Sequence, residues 1–103
     1  MNELEEEFER AIHQENVRSK PLGYNPTRYR QMIDQYGGLN TAKRLLSKHE
    51  ITQGLIDLYE LDCLDESMEA LVIQERFKPL FTESEIEEAY WRLSELRYFD
   101  ENK

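Results

Sequence analysis

The sequence predicts an all-α fold, a compact single-domain bundle of about six short helices, on three observations. Apolar residues recur at spacings of three and four, as on the buried face of a helix. Residues that cap and end helices stand between these stretches. No stretch alternates apolar and polar residues for long enough to form a strand. The 103 residues suffice for one domain that buries its own core.

The first helix is expected over residues 2–18. Asn2 can cap it, and glutamates fill its first turns, where the helix dipole favours negative charge. Residues 20–26 then contain two prolines and a glycine, which excludes regular helix. The apolar face of this first helix is formed by Leu4, Phe8, Ala11 and Ile12.

Two glycines separate the second helix from the third. Asn25 followed by Pro26 is a helix-start signal, because Asn caps the helix and the N–H that Pro lacks is unused in the first turn. Gly37 can supply the left-handed residue that ends the second helix after Tyr36, and Gly38 permits a tight reversal. The third helix is expected to begin one or two residues later. The inward-facing residues are Tyr29, Met32, Ile33 and Tyr36 in the second helix, and Leu39, Ala42, Leu45, Leu46 and His49 in the third.

Three further helices are expected over residues 52–61, 65–76 and 82–98. Thr52 and Asp65 are the predicted caps of the first two, and a Thr-Glu-Ser-Glu capping box begins the last. A short apolar loop before the last helix is expected to fold over the core. The residues predicted to face inward are Leu55, Leu58, Tyr59, Met68, Leu71, Val72, Phe77, Leu80, Phe81, Ile86, Ala89, Tyr90, Leu93 and Leu96.

Composition places the chain in the cytoplasm. The single cysteine, Cys63, excludes an internal disulfide, so an oxidising compartment is not implied. The first residues are acidic, unlike a secretory signal, and no window approaches the ~18 apolar residues of a membrane helix. We divide the domain into an acidic N-terminal helix (residues 1–19), a helical core (residues 20–99) and a frayed tail (residues 100–103).

The net charge of −9 conceals a segregation of charge along the chain. Residues 1–16 carry a net charge of −5, residues 17–49 carry +6, and residues 50–103 carry −10. The basic middle can pair with its own acidic flanks, or it can offer a basic face to an acidic partner. Internal pairing is the simpler interpretation.

No group of residues shows a catalytic or metal-binding pattern. His13 and His49 lie far apart and have no metal-ligand spacing; His49 is interpreted as half-buried and holding a terminal carbonyl of the third helix. Cys63 lies among leucines and is interpreted as a small buried hydrophobe. The carboxylates of residues 57–69 lack the calcium-loop pattern and indicate a solvated acidic surface. We therefore predict no catalytic residue, no metal, no cofactor and no enzymatic activity.

The basic middle of the chain contains the candidate partner-binding residues. Tyrosine and arginine are enriched at protein interfaces, because they combine contact area with hydrogen bonding. The predicted contacts are Tyr24, Arg28, Arg30, Lys43, Arg44 and Lys48.

A resemblance supports the helical assignment. The residues that carry it are Tyr24-Asn25-Pro26-Thr27, Tyr29, Met32, Gly37-Gly38, Ala42-Lys43-Arg44-Leu45-Leu46, Gly54-Leu55, Leu58, Leu64-Asp65, Ser67, Glu69-Ala70-Leu71-Val72 and Leu80-Phe81-Thr82. In this spacing the chain resembles a family of small bacterial proteins without an established function. The resemblance covers residues 22–96 and departs at Tyr59, where the pattern calls for tryptophan. It implies a bacterial origin and an all-helical module, and it implies no activity.

Three functions are compatible with these observations. The first is a non-enzymatic protein–protein interaction or regulatory module that binds an unidentified protein or a second copy of itself. The second is a DNA-binding regulator, because residues 26–49 resemble a helix-turn-helix in which Thr41, Lys43, Arg44 and Lys48 would contact DNA. The acidic net charge weighs against this alternative. The third is an acidic inhibitor or immunity-type protein that occupies a basic site on its target.

Overall fold

Six α-helices form the protein in the computed structural model, which describes residues 2–19 and 27–100. The helices are α1 (Glu3–Ser19), α2 (Thr27–Tyr36), α3 (Gly38–Leu46), α4 (Gln53–Glu60), α5 (Met68–Val72) and α6 (Glu83–Glu95), with short 3-10 turns at Leu64–Glu66 and Lys78–Leu80. Within these described ranges there is no strand. The predicted all-α bundle is confirmed.

Three of the predicted capping signals are found where the sequence places them. The Asn2 side chain accepts from the N–H three residues on, at 2.8 Å. Thr52 does the same at the start of α4, at 3.2 Å. Thr82 and Glu85 form both hydrogen bonds of the capping box that begins α6. The predicted Asn25–Pro26 start of α2 lies outside the described residues.

The fifth helix is shorter than predicted, because Ser67 caps it instead of Asp65. The Ser67 hydroxyl donates to the Leu64 carbonyl at 2.6 Å and accepts from the Ala70 N–H at 3.1 Å. The preceding residues form a 3-10 turn, and α5 ends at Val72.

α3 and α6 also end earlier than predicted. α3 ends at Leu46, so His49 lies beyond the helix and is exposed, although it was predicted to face inward. α6 ends at Glu95, and Arg97, two residues later, adopts a left-handed φ of 62°. The Tyr98 N–H then returns to the Leu93 carbonyl at 2.9 Å, which closes the helix end.

The main core is built on α1. The Phe8 ring makes edge-to-face contacts with Phe77 and Phe81, at centroid distances of 5.1 and 5.3 Å. Ile12 is buried in the same cluster, so α1 is part of the core. The apolar loop between α5 and α6 folds over the core, as predicted.

Two predicted core residues, Tyr59 and Tyr90, are exposed. α4 buries only the narrow face formed by Leu55 and Leu58, and Tyr59 lies beside it. α6 buries Ala89 and turns the Tyr90 ring outward, where the Lys78 ammonium lies 5.4 Å from its centroid.

Candidate binding groove

A groove of about 1320 Å³ lies between α2 and α4, and the C-terminal end of α3 contributes to its floor. Its apolar lining consists of Met32, Leu45, Leu55, Leu58, Leu61 and Met68. Leu55 and Leu58 are buried, whereas Leu61 is 40% exposed. Among these six residues, Met32, Leu45 and Leu61 therefore supply most of the exposed surface of the apolar floor.

α2 and α3 form one wall of the groove, and the turn between them sets the direction of α3. Gly37 has φ 85° and ψ 161°, a conformation essentially restricted to glycine. The backbone N–H groups of Gly38 and Leu39 donate to the two carboxylate oxygens of Glu9, at 2.8 and 3.0 Å. A Cβ at Gly38 would lie 2.9 Å from the Glu9 Oε2. The carboxylate of α1 thus caps α3 and starts it at Gly38, one residue before the predicted range.

The wall formed by α2 and α3 is basic. Arg28, Arg44 and Lys48 are exposed and line the groove. The Arg44 guanidinium carbon lies 3.9 Å from the centroid of the Tyr36 ring, which also lines the groove. None of these three cations has an ion-pair partner among residues 2–19 and 27–100.

The wall formed by α4 and its flanking turns is acidic. The acidic residues that line it are Glu50, Asp57, Glu60 and Glu66. The Asp57 carboxylate accepts a hydrogen bond from the Gln53 amide at 2.9 Å. Basic side chains of α2 and the end of α3 and acidic side chains of α4 and its flanking turns thus line the same groove.

The structure brings together three of the six predicted contact residues, namely Arg28, Arg44 and Lys48. Lys43, another predicted contact, pairs with Glu85 of α6 at 2.9 Å, and its ammonium lies over the Phe81 ring. Arg30 is half-buried and does not line the groove. Tyr24 lies outside the described residues.

Arg92 fixes the end of α3 beneath the groove. Its side chain is fully buried. Its Nη2 donates to the carbonyls of Leu45 and Lys48 at 2.6 and 2.9 Å. Its Nε and Nη1 donate to Glu88 and Glu69, each at 2.8 Å. A cation at this point also opposes the negative end of the helix dipole.

This network corrects two predictions. Arg92, and not His49, holds the terminal carbonyls of α3. Glu69 is not part of a solvated surface, because it is 4% exposed and paired with Arg92. The spacing of Glu88 and Arg92 by four residues was a detectable local signal. Glu69 and the α3 carbonyls are far away in sequence, so no local pattern points to them.

His49 joins the same network from outside. Its Nδ1 lies 2.7 Å from the Glu88 Oε1, and its ring is stacked on Trp91 at a centroid distance of 3.9 Å. Burial alone would raise the pKa of Glu88, but hydrogen bonds from His49 and Arg92 outweigh it, and the pKa is lowered. Glu88 is therefore held in its ionised form between His49 and Arg92.

The single cysteine, Cys63, does not line the groove. Cys63 is half-buried, and its thiol donates to the Leu61 carbonyl at 3.2 Å. Burial, followed by the charges of Asp65, Glu66 and Asp62, raises its pKa, which reduces the reactive thiolate. Across the described part of the chain, no three His, Cys, Asp or Glu side chains are placed to hold a metal ion.

The structure and the comparisons with known proteins add two findings. Among the described residues, no helix has the length and apolar character needed to cross a bilayer. No family model, curated protein or solved structure matches the chain. The resemblance to the small bacterial family stays an expectation from the sequence.

Proposed function

We propose that the protein is a non-enzymatic interaction module, regulatory or accessory in role, that binds a segment of a partner protein in the groove. The observation that carries this proposal is an apolar floor beside three exposed cations, Arg28, Arg44 and Lys48, for which the described part of the fold supplies no acidic partner. We also propose that it acts in the bacterial cytoplasm, from its single cysteine and the family resemblance.

The size and lining of the groove support a protein ligand. Small-molecule pockets usually enclose about 300–1,000 Å³ and bury most of their ligand. This groove is larger, at about 1320 Å³. An apolar centre with a charged rim is the usual anatomy of a protein interface.

The DNA-binding alternative has less support. Thr41, one of its four predicted contacts, is fully buried. Lys43, another, is paired with Glu85. Of the four predicted contacts, Arg44 and Lys48 are exposed, and the net charge of the chain is −9.

The acidic-inhibitor alternative also has less support. Glu69 and Glu88 are buried against Arg92, and Glu85 is paired with Lys43. These carboxylates neutralise the protein's own cations and are not offered to a target.

Photo-crosslinking tests the proposal. A photoreactive phenylalanine analogue is placed at Gln35 or at Gln53, which line the groove, and at Glu87 of α6 as an exposed control. In the native cell, both groove positions should yield the same protein adduct, and the substitution pair Arg44→Glu and Lys48→Glu should reduce its yield. Equal adducts from Glu87, or none from the groove, would contradict the proposal.

A further inference from the structure

The two walls of the groove differ in sign, and this difference restricts what can occupy it. We propose that the occupant is an amphipathic α-helix of a partner protein, with acidic side chains along one edge and basic side chains along the other. Its acidic edge lies against Arg28, Arg44 and Lys48, and its basic edge lies against Asp57 and Glu60 of α4. This inference rests on the proposed function and adds the class and orientation of the ligand.

The dimensions of the groove fit about three turns of helix. α2 has 10 residues and α4 has 8, so the walls are roughly 12–15 Å long at 1.5 Å per residue. A helix segment of that length and about 10 Å in diameter fills roughly 1,000–1,200 Å³. The groove volume of about 1320 Å³ is of the same order.

The apolar floor favours a helix over an extended peptide. An extended segment would lay unpaired N–H and C=O groups on Met32, Leu45 and Leu61, where they lose hydration without gaining a hydrogen bond. The described part of the chain offers no strand edge to pair with such groups. A helix pairs most of its backbone N–H and C=O groups with each other, so it can lie on an apolar surface. Met32 adds an adaptable side chain to the floor.

The charges on the walls give the helix one preferred orientation. On the basic wall the three cations have no acidic partner in the described structure, so they are available to an acidic ligand edge. On the acidic wall, Asp57 and Glu60 are exposed at positions three residues apart on α4. A helix inserted with its edges reversed would place like charges opposite each other on both walls, which disfavours that orientation.

Selection from a displayed peptide library tests this inference directly. The library has 14-residue peptides with Leu fixed at helical spacing and the remaining positions randomised among Glu, Lys and Gln. It is selected on the wild-type protein, on the pair Arg44→Glu and Lys48→Glu, and on the control pair Glu83→Lys and Glu87→Lys. The control residues are exposed on α6 and do not line the groove.

Wild type and control should enrich peptides with Glu on one edge and Lys on the other. The groove variant should bind those peptides roughly tenfold more weakly, and it should enrich Lys on the edge where wild type enriches Glu. Enriched peptides without charge segregation would overturn this inference and leave the proposed function standing. Failure to enrich any helical peptide would also overturn it, while photo-crosslinking would still report whether the groove binds a protein.

A second copy of the chain is the competing occupant. Sedimentation of the wild-type protein alone should show a monomer. A dimer that the groove variant dissociates would assign the groove to a second copy and overturn the inference.

Discussion

Arg92 is the residue on which the end of α3 depends most directly. It is fully buried, and its guanidinium donates to two carboxylates and two backbone carbonyls. Four of its five N–H donors are therefore used, which is the condition under which a buried cation is tolerated. Arg92 links α5, α6 and the end of α3, and so it positions the backbone that carries Lys48.

Replacing Arg92 by Met should cost about 3–5 kcal/mol of unfolding free energy, because Glu69 and Glu88 would remain buried without their cation. Urea unfolding monitored by circular dichroism measures the change. Adding Glu69→Gln and Glu88→Gln to the same variant should recover part of the loss, since the two carboxylates that Arg92 neutralises are then replaced by neutral amides. A single-variant loss below about 1 kcal/mol would contradict this account of Arg92.

The lowered pKa of Glu88 predicts acid sensitivity. Its pKa in the folded protein lies below the ordinary value of 4.5, so folding favours its ionised form. The corresponding stability is present above about pH 4.5 and is lost as the pH falls through the folded pKa. Unfolding free energies measured from about pH 6 down to pH 3 should therefore fall more steeply for the wild type than for Glu88→Gln. Equal slopes would contradict the prediction.

At the scale of elements, α3 begins on a carboxylate supplied by another helix. Glu9 of α1 accepts from the N–H groups of Gly38 and Leu39, so a charged cap binds two donors that no residue of α3 satisfies. This contact joins the acidic first helix to the basic middle of the chain without an ion pair. The turn also favours glycine, because Gly37 has a positive φ and a Cβ at Gly38 would displace the Glu9 carboxylate from its hydrogen bonds.

Replacing Glu9 by Ala should destabilise the protein by about 1–2 kcal/mol, the usual cost of losing a helix cap with its favourable charge. Glu6→Ala, at an exposed position of the same helix, is the matched control and should change stability by less than about 0.5 kcal/mol. Thermal and urea unfolding of both variants provides the comparison. Equal effects would show that Glu9 contributes only its helical propensity.

At the scale of the whole molecule, the sequence predicts what local signals determine. Periodic apolar residues gave the six helices and most of the core, and side-chain caps at Asn2, Thr52 and Thr82 gave three of the starts. Contacts between distant segments were not predictable in this way. Arg92 lies 23 residues from Glu69, and Glu9 lies 29 residues from Gly38. The exposure of Tyr59 and Tyr90 was likewise not predictable from local signals, because the packing of neighbouring helices decides which edge of a helix is covered.

The candidate site was predicted only in part for the same reason. The basic residues of the middle segment stand out by composition, but composition does not show that Lys43 is paired across the bundle while Arg28, Arg44 and Lys48 line one wall. The acidic wall on α4 becomes visible only when the helices are placed side by side. The groove, with its apolar floor and oppositely charged walls, is a property of the assembled bundle.

The most direct test uses the partner that photo-crosslinking identifies, purified without the crosslink. Titration calorimetry measures its affinity for three forms of the purified protein. The groove variant, Arg44→Glu with Lys48→Glu, should bind the partner roughly tenfold more weakly than wild type while it unfolds at a similar temperature. The control variant, Glu83→Lys with Glu87→Lys, should bind as wild type does. Equal affinities for wild type and the groove variant, with both folded, would contradict binding of the partner in this groove.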